Sequence, residues 1–174
     1  MLSIDAWLDE KPYKELYDGM VHEKVSPQSD HSRIMLRFGR LLDDWAADRG
    51  WVGAEWRVYP KEGITLVPDV AFISDERLAP LTREERQKPP LAPDIAVEIR
   101  SPDDRDADIN RKTALYLELG TTLVVNVDPA RRVVRITDRE QDMELDESET
   151  IEHRTFGGLH ISIEAIFATL KRQT

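Results

Sequence analysis

The chain reads as an α/β fold: one mixed sheet flanked by helices, with a hairpin added at the N-terminal end and a strand and helix at the C-terminal end. Two observations carry this reading. Candidate elements run helix, strand, strand, strand, helix, strand, and the helical stretch between Arg100 and Thr122 separates two strand-like runs as a crossover would. The chain has 174 residues, 40% apolar and 33% charged, which suits one domain over 1–174 with a core of its own.

Taken in order, Ser3 can cap a short helix over Ile4 to Leu8. Tyr13–Tyr17 and Met20–Val25 flank Asp18-Gly19, a dipeptide suited to the type I′ turn of a hairpin. Ser29 or Asp30 opens the first core helix, in which Ile34, Phe38, Leu41, Leu42 and Trp45 recur at helical spacing, and Gly50 is expected as its left-handed cap. Trp51–Tyr59 and Leu66–Ser74 are strand-like runs joined by Pro60-Lys61-Glu62-Gly63, and they are expected to pair antiparallel. The charged stretch 75–93 is a surface excursion with a helical turn over Thr82–Gln87, followed by a strand over Asp94–Arg100. Asp103 or Asp104 is expected to cap a helix to Leu119 that Gly120 stops. Strands over Thr122–Val127 and Arg132–Thr137 follow, then an exposed acidic run from Glu140 to Glu152, a strand near Leu159–Ile163 and a short helix to about Arg172.

Composition narrows the chemistry. No stretch reaches the roughly 18–20 apolar residues of a membrane span, and the first residues lack the order of a secretory signal, so a cytoplasmic protein is expected. The absence of cysteine removes disulfides, thiolate metal sites and cysteine nucleophiles together. Any metal must then sit on oxygen or imidazole, which favours hard cations such as magnesium. A net charge of −10 opposes long-range attraction to phosphate backbones, so binding to nucleic acid should be weak and salt-sensitive. Glycine-rich phosphate loops, a Gly-x-Ser-x-Gly elbow and an HExxH pattern are all missing.

Strand alternation puts Asp94, Ala96, Glu98 and Arg100 on one side and Ile95, Val97 and Ile99 on the other. Val67, Asp69, Ala71 and Ile73 share a face in the preceding run, so Asp69 is an acid in an apolar stripe and is costly there unless paired or metal-bound. If the two strands are neighbours, Asp69, Glu98 and the Ile99 carbonyl offer an all-oxygen seat for a divalent ion. Spacing alone is met more simply by Asp69 capping the strand entry after Pro68 and by Glu98 pairing with Arg100 on a solvated face.

Several segments together carry a family resemblance: PDVAFIS at 68–74, APDIAVEIRSP at 92–102, NRKTALYLELG at 110–120 and VVNVDP at 124–129. YKELYDGMV at 13–21, His31 at the start of the first core helix and GGLHISIEAIF at 157–167 extend it over nearly the whole chain. The chain resembles the Uma family of putative restriction endonucleases, a branch of the PD-(D/E)XK nuclease superfamily. That resemblance implies a restriction-endonuclease-like core in which Asp69 and Glu98 bind magnesium or manganese. Arginine stands at position 100, where the parent pattern has lysine, and the resemblance implies that Lys112 of the following helix takes the lysine's place.

Ile109, Lys112, Thr113 and Tyr116 fall on one helical stripe, so Lys112 can snorkel toward the sheet, although an ion pair with Asp108 at four residues' spacing is the plainer use of it. Arg100 stays protonated and suits phosphate binding, with a salt bridge to Asp94 or Glu98 as the plainer use, and His31 suits a secondary contact at the site mouth or to phosphate, with an ordinary place beside the helix cap as the alternative. Arg33, Arg37 and Arg40 read as a charge-paired helix face, with a phosphate-binding edge as the alternative. The expectation is therefore a metal-dependent endonuclease acting on nucleic acid, DNA first, as monomer or homodimer. The alternative is a catalytically weak or inactive nuclease-fold domain that serves as a regulatory or protein-interaction module.

Overall fold

The computed structural model describes residues 13–24 and 28–173. The helix expected over Ile4 to Leu8 lies outside these. The chain opens with the hairpin of β1 (Lys14–Tyr17) and β2 (Met20–Glu23), in register Tyr17↔Met20. Asp18 and Gly19 both have positive φ, 53° and 69°, as a type I′ turn requires.

Helix α1 (Ser29–Ala46) buries Ile34, Phe38, Leu42 and Ala46. Its cap position is Ala47, and Gly50 is instead the first residue of β3 (Gly50–Ala54), paired with Ser74. Steric room accounts for this glycine, because a Cβ there would lie 2.2 Å from the Ile73 carbonyl oxygen.

The two runs expected as one antiparallel pair each split. β3 pairs with β6 (Val70–Ser74), while β4 (Val58–Lys61) and β5 (Ile64–Leu66) form a hairpin of their own. The break falls at Glu55, whose φ of 48° bends the chain out of the large sheet. The excursion carries α2 (Asp75–Leu78) and α3 (Arg83–Gln87), the second opened by a reciprocal Thr82–Glu85 capping box.

β7 (Ile95–Ile99), α4 (Asp106–Glu118) and β8 (Leu123–Asp128) make the crossover, with β7 and β8 parallel. Asp104 does not cap α4. It accepts the Ser101 N–H at 2.7 Å within the preceding turn, and the cap position is Arg105. Gly120 ends α4 as expected, at φ 99°, in a Schellman arrangement with Gly120 N–H on the Leu117 carbonyl and Thr121 N–H on the Tyr116 carbonyl.

β9 (Val133–Thr137) follows, and the acidic run then holds two strands, β10 (Asp142–Leu145) and β11 (Thr150–Ile151). Two of the acids form ion pairs with arginines of β9 and the turn before it, Asp142 with Arg135 and Glu144 with Arg131, while Leu145 and Ile151 anchor the run in the core. β12 (Ile161–Ser162), α5 (Ile163–Phe167) and a 3₁₀ turn (Ala168–Gln173) close the chain. Arg33 and Arg37 of α1 donate to the Thr169 and Ala165 carbonyls, so this part of the arginine stripe holds the C-terminal helical segment.

Among the described residues the large sheet runs β10-β9-β8-β7-β6-β3, and a smaller one runs β2-β1-β5-β4. Both faces of the large sheet are covered. Ile95, Val97 and Ile99 pack on the α1 side, and Ala96 and Val124 pack with Tyr116 of α4 and with Tyr17, Val58 and Leu66 of the smaller sheet. No helix among the described residues is long and apolar enough to cross a membrane.

Candidate active site

Asp69 directly precedes β6 and Glu98 is the fourth residue of β7. The antiparallel register Val70↔Val97, Ala71↔Ala96 carried one step further sets Asp69 opposite Glu98. On the other side of β7, Glu98 is matched with Asn126 of β8. Both acids open into one cavity of about 290 Å³, walled by β1 and β2 on one side and α4 on the other. His31, Ile99, Arg100 and Lys112 also line it.

Asp69 is 2% exposed and fully engaged. One oxygen accepts the Ile99 N–H at 2.7 Å and faces His31 Nε2 at 3.2 Å, and the other takes the Lys24 ammonium at 2.6 Å. Burial by itself would raise this carboxyl, but Lys24 and His31 reverse the effect and hold it well below the usual carboxylate range. Neither strand capping nor exposure describes its position.

Glu98 Oε1 takes the Lys112 ammonium at 2.9 Å and the Tyr116 hydroxyl at 2.7 Å. Burial pushes its carboxyl above the ordinary range, with Lys112 and Lys24 pulling the other way. The same burial, reinforced by Glu98, keeps the Tyr116 hydroxyl protonated far above neutrality.

Lys112 points inward from α4, beside the buried Thr113 and Tyr116, and ignores Asp108. It bridges Glu98 and Glu15, the latter at 2.7 Å. Burial would weaken its charge, yet Glu15 and Glu98 hold the ammonium above its usual range. Lys112 therefore stays positive through neutral pH. It reaches only one of the two expected acids, because Lys24 occupies the other.

Arg100 keeps to the rim. Its guanidinium pairs with Asp106 at 2.6 Å and donates to the Asp104 carbonyl at 3.0 Å, away from Glu98. Asp94 pairs with Arg77 instead. His31 is oriented by Asp69 through Nε2, while its Nδ1 is buried and has no hydrogen-bond partner among the described residues.

Glu15 and Lys24 are site residues that the sequence reading did not single out. Glu15 is buried at 3% exposure and clamps two elements, accepting the Val67 N–H at 2.6 Å and the Lys112 ammonium. A signal for it exists, since Glu15 shares strand parity with the inward aromatic Tyr17. Tyr17 stacks on His22 at 3.9 Å, and burial pushes its hydroxyl up to about 12. Lys24 carries no comparable signal, because a lysine at the end of a hairpin looks like any solvated residue.

Asp69, Glu98 and Glu15 supply hard oxygen donors, and the cation resting on Asp69 is an ammonium that also meets the Val67 carbonyl at 2.7 Å. No group of three or more Asp, Glu or His side chains among the described residues is already gathered around one point as a metal cage. The donor chemistry fits a divalent cation, provided that the ammoniums rearrange.

A comparison with curated proteins returns no match. Among solved structures, the chain is similar to a putative nuclease from Anabaena variabilis belonging to DUF820, with a TM-score of 0.82 and 23% identity over 98% of this chain and 99% of that one. This likeness establishes the fold. A DrdV–DNA complex aligns at a TM-score of 0.43 and 18% identity over 77% of this chain and 10% of that one, too loose a likeness to inform the site. The family model Uma2, putative restriction endonuclease, matches residues 3–164, and the chain belongs to that family.

Proposed function

We infer that the protein is a metal-dependent endonuclease that hydrolyses phosphodiester bonds of nucleic acid, with DNA the expected substrate. The observation that carries this reading is the pairing of two acids, the buried Asp69 and the half-buried Glu98, at facing positions of neighbouring strands, with the Lys112 ammonium 2.9 Å from Glu98 in the same cavity. Burial pushes the Glu98 carboxyl up, and a further cation in the cavity would favour its charged form.

Asp69, Glu98 and the Ile99 carbonyl would hold magnesium or manganese. That ion supplies compensation for the phosphate's negative charge and a more acidic attacking water. Lys112, kept charged by Glu15 and Glu98, offsets charge that develops on the phosphate. Tyr116 and Glu15 fix the Glu98 and Lys112 side chains, so both groups are oriented before substrate arrives. Arg100 lies where the cavity opens toward a neighbouring groove and suits a contact to a flanking phosphate, whereas His31, with Nε2 on Asp69 and Nδ1 buried, is placed to orient Asp69.

The test is cleavage of supercoiled, linear and single-stranded DNA and of RNA, with magnesium or manganese, beside Asp69→Asn and Glu98→Gln. Metal-dependent cleavage that both substitutions abolish is the expected result. A second reading has its own observation: Lys24 and Lys112 already neutralise the two acids, as suits an inactive module. Absence of cleavage on all four substrates, with the wild-type protein folded, favours that module.

A further inference from the structure

Lys24 and Lys112 each sit on an acid expected to hold the metal, but only Lys112 has a part in the proposed chemistry, which leaves the position of Lys24 to be explained. Its ammonium lies 2.6 Å from Asp69 Oδ1 and donates to the Val67 carbonyl at 2.7 Å, so two oxygens at the cavity wall already carry a positive charge. The attachment is asymmetric. Lys24 follows β2, the outer strand of the smaller sheet, and its backbone N–H is fixed to the Tyr13 carbonyl at 2.8 Å, whereas its side chain keeps 16% exposure. A four-carbon stem on a fixed backbone can swing outward by rotamer changes alone.

Charge balance gives the swing a direction. Glu15, Asp69 and Glu98 set three carboxylates against the Lys24 and Lys112 ammoniums, leaving one net negative charge. Without Lys24 the cluster carries two, the charge that a divalent cation cancels. Lys112 is the poorer candidate to leave, since Glu15 and Glu98 both hold it and it is built into α4.

We propose that Lys24 is a tethered stand-in for the divalent cation, holding Asp69 in the metal-free protein and leaving it when the metal binds, so that metal affinity is set by competition with the chain's own ammonium. The proposal rests on the metal-dependent reading of the site. It makes Lys24 a positioning residue that keeps a buried carboxylate compensated and ordered until the metal arrives. When the seated ammonium dominates, the apparent affinity for metal falls by the fraction of molecules with Asp69 free.

The experiment is titration of Mn²⁺ by calorimetry into the wild-type protein, Lys24→Met and Lys24→Gln, with folding checked by circular dichroism and thermal unfolding followed with and without Mn²⁺. If Lys24 is seated in nine molecules of ten, both variants bind Mn²⁺ roughly tenfold tighter than wild type. They also melt lower than wild type without metal and recover with it. Wild type that binds Mn²⁺ while both folded variants bind it equally or more weakly overturns the proposal alone and leaves Lys24 a structural ion pair. No binding by any of the three folded proteins overturns the metal-dependent reading and this proposal together.

A measurement on the wild-type chain does not depend on the variants folding. Acetylation of the Lys24 amine, quantified by mass spectrometry, should accelerate several-fold when Mn²⁺ is added. Unchanged protection of Lys24 at saturating Mn²⁺ overturns the proposal.

Discussion

At the scale of single residues, the two central acids respond to pH in opposite senses although they share a cavity. The Asp69 carboxyl is held below its unfolded value by Lys24 and His31, against the pull of burial, so its stabilising contribution is complete above the ordinary carboxylate range and is lost as pH falls through it. The Glu98 carboxyl is raised by burial, so its contribution is present at low pH and is lost as pH rises through the folded value. Asp69→Asn should therefore destabilise the metal-free protein at pH 7 by about 1–3 kcal/mol, since the Ile99 N–H and the Lys24 ammonium lose a charged acceptor. Glu98→Gln should be neutral or stabilising at pH 7, with the difference shrinking toward about pH 4, whereas the Asp69→Asn deficit should persist down to about pH 4 and shrink only between about pH 4 and about pH 2. Urea unfolding across that range checks both, and an Asp69→Asn protein as stable as wild type at pH 7 would contradict the ion-pair account. Lys112→Met should cost about 3–5 kcal/mol by stranding Glu15 and Glu98, whereas Arg100→Ala at the rim should cost under about 1 kcal/mol.

At the scale of elements, two glycines make a matched comparison. Gly39 lies inside α1, and a Cβ there would meet only the Val70 methyl groups at 3.9 and 4.0 Å, ordinary contact distances. Gly39→Ala should stabilise by about 0.5–1 kcal/mol, because alanine loses less backbone freedom in a helix. Gly50→Ala drives a methyl group against the Ile73 carbonyl oxygen at 2.2 Å and the Ser74 Cα at 2.7 Å, and backbone cannot step aside as a side chain can. It should destabilise by at least about 2 kcal/mol and loosen the β3–β6 pairing, which amide exchange of Val52 and Phe72 would report. Opposite shifts in denaturation midpoint from the same substitution at the two sites are the expected outcome. The two positions also mark where local signals hold and where they fail. Gly120 follows a helical pattern and does cap α4, but Gly50 after α1 looks alike in sequence and serves a neighbouring strand.

At the scale of the whole molecule, a net charge of −10 works against any nucleic-acid partner, and the arginines along one edge of the large sheet give little help. Arg131, Arg132 and Arg135 are spent on Glu144, Glu147 and Asp142 along the edge of the large sheet. Affinity for DNA should accordingly be weak and should fall steeply between about 50 and 200 mM salt. Fluorescence anisotropy against salt measures it, and tight binding that persists above physiological salt would show that an uncompensated basic surface has been overlooked.

The sequence by itself determined the order of the main helices and core strands, the β7–α4–β8 crossover, the hairpin turn at Asp18-Gly19 and the inward stripe of α4 that carries Lys112. Each follows from backbone periodicity or turn chemistry, which act over a few residues. The facing of Asp69 and Glu98 waited on the β6–β7 register. Only the tertiary structure decided which charges meet. Glu15 and Lys112 are 97 positions apart and Lys24 and Asp69 are 45, and such pairs form because the smaller sheet folds over the end of β7 and closes them off from water. Burial then converts ordinary carboxylates and ammoniums into a coupled cluster, since a charge without water needs a partner wherever the fold can supply one.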